Sequence, residues 1–284
     1  MPNPEEEQPY LTPKEVARFD PYGVRKQALA KEAESLESQT PEPTPEEAVE
    51  RPDIIEASEI MKDDFFGPEE IGKAFQVELD PNEIPAQPFS REELKHFQQE
   101  GYFLSLRIDH DKDGKPLTIQ QLKSLYELDP KDQAVRIFYQ QDWYEKPENS
   151  DPFYTTQIPK VQWALTKKEI LPDSTSKTHQ DQETLLNQYT QQQSPHLESD
   201  HTIQRREAVD IAYDLALAYL SKGQKQLPTR YDWSKTQLTQ GAVSGFFAPL
   251  GHFDARGFVV HAVRTGDSDG DLGVCPSVVS EIET

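Results

Sequence analysis

Glycines interrupt the end of the chain so often that no long helix is expected there. Seven of the 13 glycines fall at positions 241, 245, 251, 257, 266, 270 and 273. A glycine inside a helix costs about 1 kcal/mol relative to alanine. The runs between these glycines, such as residues 257–263, are rich in β-branched and aromatic side chains. The spacing predicts short strands joined by tight turns, in a compact β-rich module over residues 224–284.

The strongest helical signal lies just before this module, over residues 201–223. Val209, Ala212, Ala216 and Leu220 recur at the helical period and form an apolar stripe. Gly223 then supplies a C-terminal breaker. We therefore predict an amphipathic helix here, preceded by a polar linker rich in Gln, Ser and Thr over residues 173–200.

A middle segment, residues 65–172, alternates between helical and strand patterns. Ser90 and Glu93 form a capping box at the start of one predicted helix, and Thr118 is placed to cap another. Strands are predicted over residues 102–108, 134–139 and 161–165 from their alternation of apolar and polar positions. This alternation predicts a small α+β domain, and an α+β class for the chain as a whole.

The first 64 residues carry a different composition. Prolines and glutamates alternate over residues 41–47, and proline removes the amide that a helix interior requires. The hydrophobic share of the whole chain is 35%, whereas an ordinary globular domain has roughly 45–50%. Some of the chain must therefore stay solvated, and we expect residues 1–64 to form a disordered acidic tail.

Charge and cysteine content exclude several classes of protein. The chain has 29 Lys and Arg against 51 Asp and Glu, a net charge of -22, which disfavours a phosphate backbone as partner. Cys275 is the only cysteine, so neither an internal disulfide nor a zinc-binding cysteine pattern is possible. No signal-peptide pattern is present at the start, and no run approaches the ~18 apolar residues of a membrane span. We expect a cytoplasmic protein without a cofactor, a membrane anchor or a nucleic-acid partner.

One acidic segment resembles the first half of a calcium loop. Asp109, Asp111 and Asp113 alternate before Gly114, as oxygen ligands of a hard cation do. The twelfth position is Gln120, which cannot supply a bidentate carboxylate. These aspartates are therefore only weak metal candidates, and we favour a polar turn; the same holds for the acidic residues 267–271.

Catalytic patterns are incomplete. Ser244 has an adjacent glycine, Gly245, instead of the glycines two residues away that a nucleophile elbow requires. Cys275 could pair with His252 or His261, but a lone cysteine beside valine is more often a small core residue. We therefore interpret the chain as a protein that is not an enzyme.

Two Glu–His pairs carry the three-residue spacing of a carboxylate-bridged metal site. They are Glu93 with His96, and Glu198 with His201. A di-metal bundle needs two further glutamates on long facing helices, and the helix that bears Glu93 is only about three turns long. We interpret these residues as part of an exposed polar face.

The framework of the C-terminal module resembles a known group. Its matching residues are Tyr231-Asp232-Trp233, Gly251, Phe253-Asp254, Gly257 and Leu272-Gly273-Val274-Cys275. They resemble a family of uncharacterised proteins of candidate-phyla bacteria, and are similar to the C-type-lectin-like variable domains of diversity-generating retroelement target proteins. Stretches of the middle segment, including residues 103–107 and 113–118, match the same family. Residues 275–278 depart from its usual aromatic ending.

This resemblance implies a division between fixed and exchangeable positions. The fixed core would be Trp233, Phe253, Val259, Leu272 and Val274. The outward, interchangeable binding residues would be Gln237, Ala248, His252, Ala255, Arg256, Phe258, His261, Arg264 and Thr265. A rigid scaffold tolerates change at exposed positions at little cost in stability.

The leading hypothesis is a binding or display protein whose C-terminal module recognises a protein or a surface glycan. The alternative is a structural or scaffolding protein of a mobile element that assembles through the 201–222 helix. An enzyme with an unrecognised site is a third possibility. The oligomeric state is left open by the sequence.

Overall fold

The structure, a computed structural model, describes residues 51–127, 137–139, 143–146 and 151–281. Residues 1–50 of the expected tail and residues 134–136 of a predicted strand lie outside this set. Residues 51–64 are folded: helix α1 spans Pro52–Met61 and a 3₁₀ turn spans Lys62–Asp64. Ala57 and Met61 of α1 are buried in the core. The prediction of a disordered tail over residues 1–64 is therefore wrong for residues 51–64.

Six further helices follow in the described residues. They are α2 Pro68–Phe75, α3 Arg91–Gln99, α4 Ile119–Glu127, α5 Phe153–Thr156, α6 His179–Gln193 and α7 Ala208–Lys222. The predicted capping box is confirmed at α3, where the Glu93 carboxylate accepts the Ser90 amide at 2.8 Å. The cap at Thr118 is confirmed too, because its Oγ1 accepts the Gln121 amide at 3.1 Å. Helix α6 lies inside the expected linker.

The strands form one large sheet and two smaller ones. They are β1 Phe65–Phe66, β2 Tyr102–Arg107, β3 Gln162–Lys167, β4 His201–Arg205, β5 Tyr231–Asp232, β6 Phe246–Phe247, β7 Leu250–Asp254, β8 Gly257–Val260, β9 Val263–Arg264, β10 Leu272–Gly273 and β11 Pro276–Ser280. The large sheet has the order β1–β2–β3–β11–β4. Its β1–β2 pair is parallel and its other pairs are antiparallel.

Strand β11 is an interior strand of the large sheet, between β3 and β4. Its Val278 is opposite Leu165 of β3 on one side and Ile203 of β4 on the other. The end of the expected C-terminal module, residues 224–284, therefore completes the sheet of the expected middle domain, residues 65–172. The two segments also share one buried cluster of apolar side chains.

The predicted helix over residues 201–222 is a strand followed by a helix. Residues 201–205 alternate between buried and half-buried side chains in β4 and pair with β11. The helix itself begins at Ala208 and ends before Gly223, whose left-handed φ of 69° closes it. Helix α7 packs against α2, α4 and β2, and every residue from Ile211 to Ala218 is buried. Val209, Ala212 and Ala216 of the predicted stripe are therefore buried within the fold, and Leu220 is half-buried.

The β-rich character of the C-terminal segment is confirmed. Strands β10–β5–β7–β8 form a four-stranded sheet, and β6 pairs with β9. Gly257 has a φ of +100°, and a Cβ there would lie 2.7 Å from the Ile137 carbonyl oxygen. This close approach lets Phe138 form a bridge with Phe258.

Helices and strands together make the fold an α+β fold, as the sequence predicts. Within the ranges the structure describes, none of the helices has the length and apolar character needed to cross a bilayer.

Candidate recognition surface

The structure separates the predicted scaffold from most of the predicted binding residues. Trp233, Phe253, Leu272 and Val274 are all buried, and Val259 is half-buried. Trp233 packs edge-on against Phe247, with ring centroids 6.4 Å apart. These bulky side chains hold the C-terminal strands in place.

Seven of the nine predicted binding residues are exposed or half-exposed. They are Gln237, His252, Ala255, Arg256, His261, Arg264 and Thr265. The prediction is wrong for Ala248 and Phe258, which are fully buried. Phe258 packs between Phe138 and Phe253, with centroid distances of 4.3 and 5.5 Å. The Ala248 backbone is bonded on both sides, to Thr236 and Ser234.

Two exposed arginines lie over aromatic rings. The Arg256 guanidinium is 4.9 Å from the Tyr139 ring centroid, and that of Arg264 is 5.1 Å from the Phe246 ring. Arg256 also donates through Nε and Nη2 to one oxygen of the Asp254 carboxylate, Oδ2, at 3.0 and 2.7 Å. An arginine stacked in this way keeps its donors directed outward in a restricted set of orientations.

Two histidines flank Tyr231. The His252 ring lies 4.5 Å from the Tyr231 ring and the His261 ring lies 5.9 Å from it. His252 Nε2 is 2.7 Å from the Asp271 carboxylate. Burial, together with the charges of Asp271 and Asp269, raises the pKa of Tyr231. A tyrosine phenol is protonated at neutral pH even without this shift and can donate a hydrogen bond.

Two adjacent cavities give this surface its shape. One of about 500 Å³ is lined by aromatic and apolar side chains, including Trp143 and Phe246. The other, of about 520 Å³, is lined by the acidic residues 267–271. Both include Tyr231 and His261. We call the combined region the C-terminal surface: the two cavities, which include Tyr231, Arg256 and His261, together with the nearby His252 and Arg264.

The aromatic part of this surface comes from Tyr139, Trp143 and Phe246, which are not among the nine predicted binding residues, and from Tyr231 of the predicted framework. Trp143 is half-buried, and its indole donates to the Val260 carbonyl at 2.7 Å. The alternation of polar and apolar residues gives no sign of this, because the rings come from segments that are distant in sequence.

The loop that resembles a calcium site is a turn. One oxygen of the Asp111 carboxylate accepts the amides of Asp113 and Lys115, both at 2.9 Å, and the other accepts the Gln121 side chain at 2.6 Å. Both oxygens of the Asp111 carboxylate, which a cation would need as ligands, thus accept hydrogen bonds within the turn and from Gln121. Among the residues the structure describes, no three His, Cys, Asp or Glu side chains form a group able to hold a metal.

The predicted exposed polar face is wrong for Glu93 and His201, whereas Glu198 is exposed and His96 is half-buried. Glu93 and His201 are buried, and His201 Nδ1 lies 2.6 Å from the Glu93 carboxylate. Burial raises the pKa of Glu93, but the His201 bond and the amides of Glu198 and Ser90 outweigh it and lower that pKa overall. Burial likewise opposes protonation of His201, but Glu93 raises its pKa overall. The pair joins α3 to β4.

A buried charge network supports the scaffold. The Asp214 carboxylate accepts Arg107 at 2.7 Å and Arg206 at 2.8 Å, and Arg206 also pairs with Asp232 at 2.8 Å. Asp232 accepts the amide of Cys275 at 2.8 Å. Cys275 is buried as predicted, and burial raises the pKa of its thiol. The sequence indicates this network only through Asp210 and Asp214, two carboxylates among the apolar residues of α7.

Comparison of the chain with protein-family models, with curated proteins and with solved structures finds no match in any of the three.

Proposed function

We propose that the chain is a non-enzymatic binding protein that recognises a protein or a surface glycan through the C-terminal surface. The observation that carries this proposal is the separation between buried anchors and exposed polar and aromatic residues. Trp233 and Leu272 are in the interior, whereas Arg256, His261 and Arg264 are exposed. Such a surface can change its contacts while its scaffold stays intact.

The composition of the surface supports binding of a macromolecule. Tyrosine, tryptophan and arginine are the residues most enriched among those that contribute strongly to protein interfaces. They supply large contact area with few rotatable bonds. The stacked arginines and the protonated Tyr231 phenol add fixed hydrogen-bond donors beside the acidic residues 267–271. The same combination of ring faces and planar polar groups suits the hydroxyl groups of a glycan.

The resemblance to variable domains of retroelement targets fits this proposal. On that reading, the exchangeable positions are the seven exposed ones, and Ala248 and Phe258 belong to the scaffold. Helix-mediated assembly, the alternative from the sequence, has less support, because most residues of α7 are buried within the fold.

Screening on a glycan array and a displayed peptide library tests the proposal. A ligand found there should lose its binding to the Arg256→Ala/Arg264→Ala variant while the variant keeps the melting temperature of the original chain. Lys95→Ala/Lys160→Ala is the matched control, because both lysines are exposed and lie outside the C-terminal surface. The proposal fails if the control loses binding equally, or if neither screen yields a ligand sensitive to Arg256 and Arg264.

A further inference from the structure

A second concave site is separate from the C-terminal surface and is lined by residues between 77 and 161. It has a volume of about 340 Å³ and lies between the connector of residues 77–85 and the end of β2. Its apolar lining includes Leu79, Ile84, Leu106, Ile108 and Val161. Val161 is 36% exposed, one of the few large apolar side chains in the described residues that solvent reaches so freely. The site can therefore take up an apolar side chain from outside.

The wall of this site is fixed by hydrogen bonds. Arg51 donates through Nη1 to the carbonyls of Pro81 and Ile84, at 3.1 and 2.9 Å, and through Nη2 to that of Pro85 at 3.2 Å. The Trp163 indole also donates to the Pro85 carbonyl, at 3.0 Å. The connector has no regular secondary structure over residues 77–80, so these bonds fix the position of its end, residues 81–85. A preformed site avoids the ordering cost of binding.

Carboxylates surround the apolar lining. Glu78, Asp80 and Glu83 come from the connector, and Asp109 comes from the segment after β2. Glu78 and Glu83 are exposed, and neither forms an ion pair with any residue that the structure describes. None of the described lining residues is a lysine or an arginine. We call this site the acidic groove.

We propose that the acidic groove binds an extended segment of a partner protein in which a large apolar side chain is flanked by lysine or arginine. The volume suits one or two apolar side chains, at the small end of ligand sites. The carboxylates stand on both segments that line the groove, so cations on either side of the apolar side chain would each meet one. Phosphate groups of nucleic acids and anionic lipids would be repelled by the same charges.

A short fluorescein-labelled peptide of alternating lysine and leucine is the probe. We expect fluorescence anisotropy to show binding that weakens with added salt. Glu78→Lys/Glu83→Lys should weaken it by about tenfold or more, because it reverses the charges that face the peptide. Glu59→Lys/Glu169→Lys is the matched control: it changes the net charge equally, at exposed glutamates that do not line the groove. Circular dichroism melts establish that both variants fold.

A comparison of apolar contributions completes the test. Val161→Ser should reduce binding several-fold, whereas Ile55→Ser, at another exposed apolar side chain, should not. A lysine–serine peptide should bind more weakly than the lysine–leucine peptide. The proposal is overturned if the two double variants weaken binding equally, or if a glutamate–leucine peptide binds as well. Neither result bears on the C-terminal surface, because Arg256 and Arg264 are unchanged throughout.

Discussion

Arg206 and Asp214 form a buried ion pair at the start of α7, with Arg206 Nη1 2.8 Å from the Asp214 carboxylate. Asp214 also accepts Arg107 and the Ser105 hydroxyl. Its single carboxylate therefore joins β2, α7 and, through Arg206, β5. This charge network connects the large sheet to the four-stranded sheet.

Removing the Asp214 carboxylate should destabilise the fold. We expect Asp214→Asn to lower the free energy of unfolding by about 3 kcal/mol or more, because two buried arginines lose a shared partner. Urea denaturation measures the change. Asp63→Asn, at an exposed aspartate, should stay within about 0.5 kcal/mol. A loss at Asp214 no larger than that of Asp63 would show that the network contributes little.

Burial separates two residues that the sequence placed together on one binding surface. Phe258→Ala should cost about 3–5 kcal/mol, because it leaves a cavity between Phe138 and Phe253. Arg256→Ala, at an exposed position two residues earlier, should change stability by no more than about 0.5 kcal/mol. Thermal and chemical denaturation compare the two. Equal losses would contradict the observed division between scaffold and surface.

The Glu93–His201 pair should make stability depend on pH with a definite sign. The pKa of His201 is raised from 6.5, so its contribution is complete below pH 6.5 and is lost as the pH rises through the folded value. The pKa of Glu93 is lowered from 4.5, so its contribution is complete above pH 4.5 and is lost as the pH falls through the folded value. The pair should stabilise most between these limits.

The matching measurement is the difference in unfolding free energy between the original chain and Glu93→Gln. We expect this difference to be larger at pH 5.5 than at pH 8.5, since the variant removes the partner that raises the pKa of His201. Glu59→Gln, at an exposed glutamate, controls for the change of charge and should give a difference that does not vary with pH. A Glu93 difference that grows toward pH 8.5 would reverse the expected sign.

His179 should make the stability of the fold depend on pH with the opposite sign to His201, because its pKa is lowered. Burial, with the charge of Arg205, lowers its pKa from 6.5 to about 4, and its ring stacks on Phe247 with centroids 4.2 Å apart. Because the unfolded chain binds this proton more readily, acidification from pH 6.5 toward pH 4 should destabilise the fold. His179→Phe should reduce that acid sensitivity while keeping the stacking. Unchanged sensitivity in a pH titration of unfolding would contradict this role.

The close approach at Gly257 should exclude a side chain. Gly257→Ala puts a methyl group against the Ile137 carbonyl at a φ of +100°, and we expect it to cost more than 1 kcal/mol, the typical scale of such strain. Gly266→Ala is the control, because no atom lies within 4 Å of a Cβ there. Melting temperatures distinguish the two; a neutral Gly257→Ala would mean that Ile137 and Phe138 move aside.

Local patterns in the sequence determined the elements whose stability depends on nearby residues. Ser90 and Glu93 define the start of α3 because both partners of the capping bonds lie within one turn. The alternation over residues 102–107 defines β2, and the glycines after residue 240 define a β-rich ending. The α+β class follows from these elements alone.

Only the tertiary structure decided which side chains are buried and which segments pair. Residues 201–205 became a strand because β11, far along the chain, pairs with them, and no local pattern encodes that partner. Phe258 is in the interior because Phe138 and Phe253 enclose it, although its position between Gly257 and Val259 resembles an exposed one. Burial and register depend on contacts between distant residues, whereas periodicity and capping depend on neighbours a few positions away.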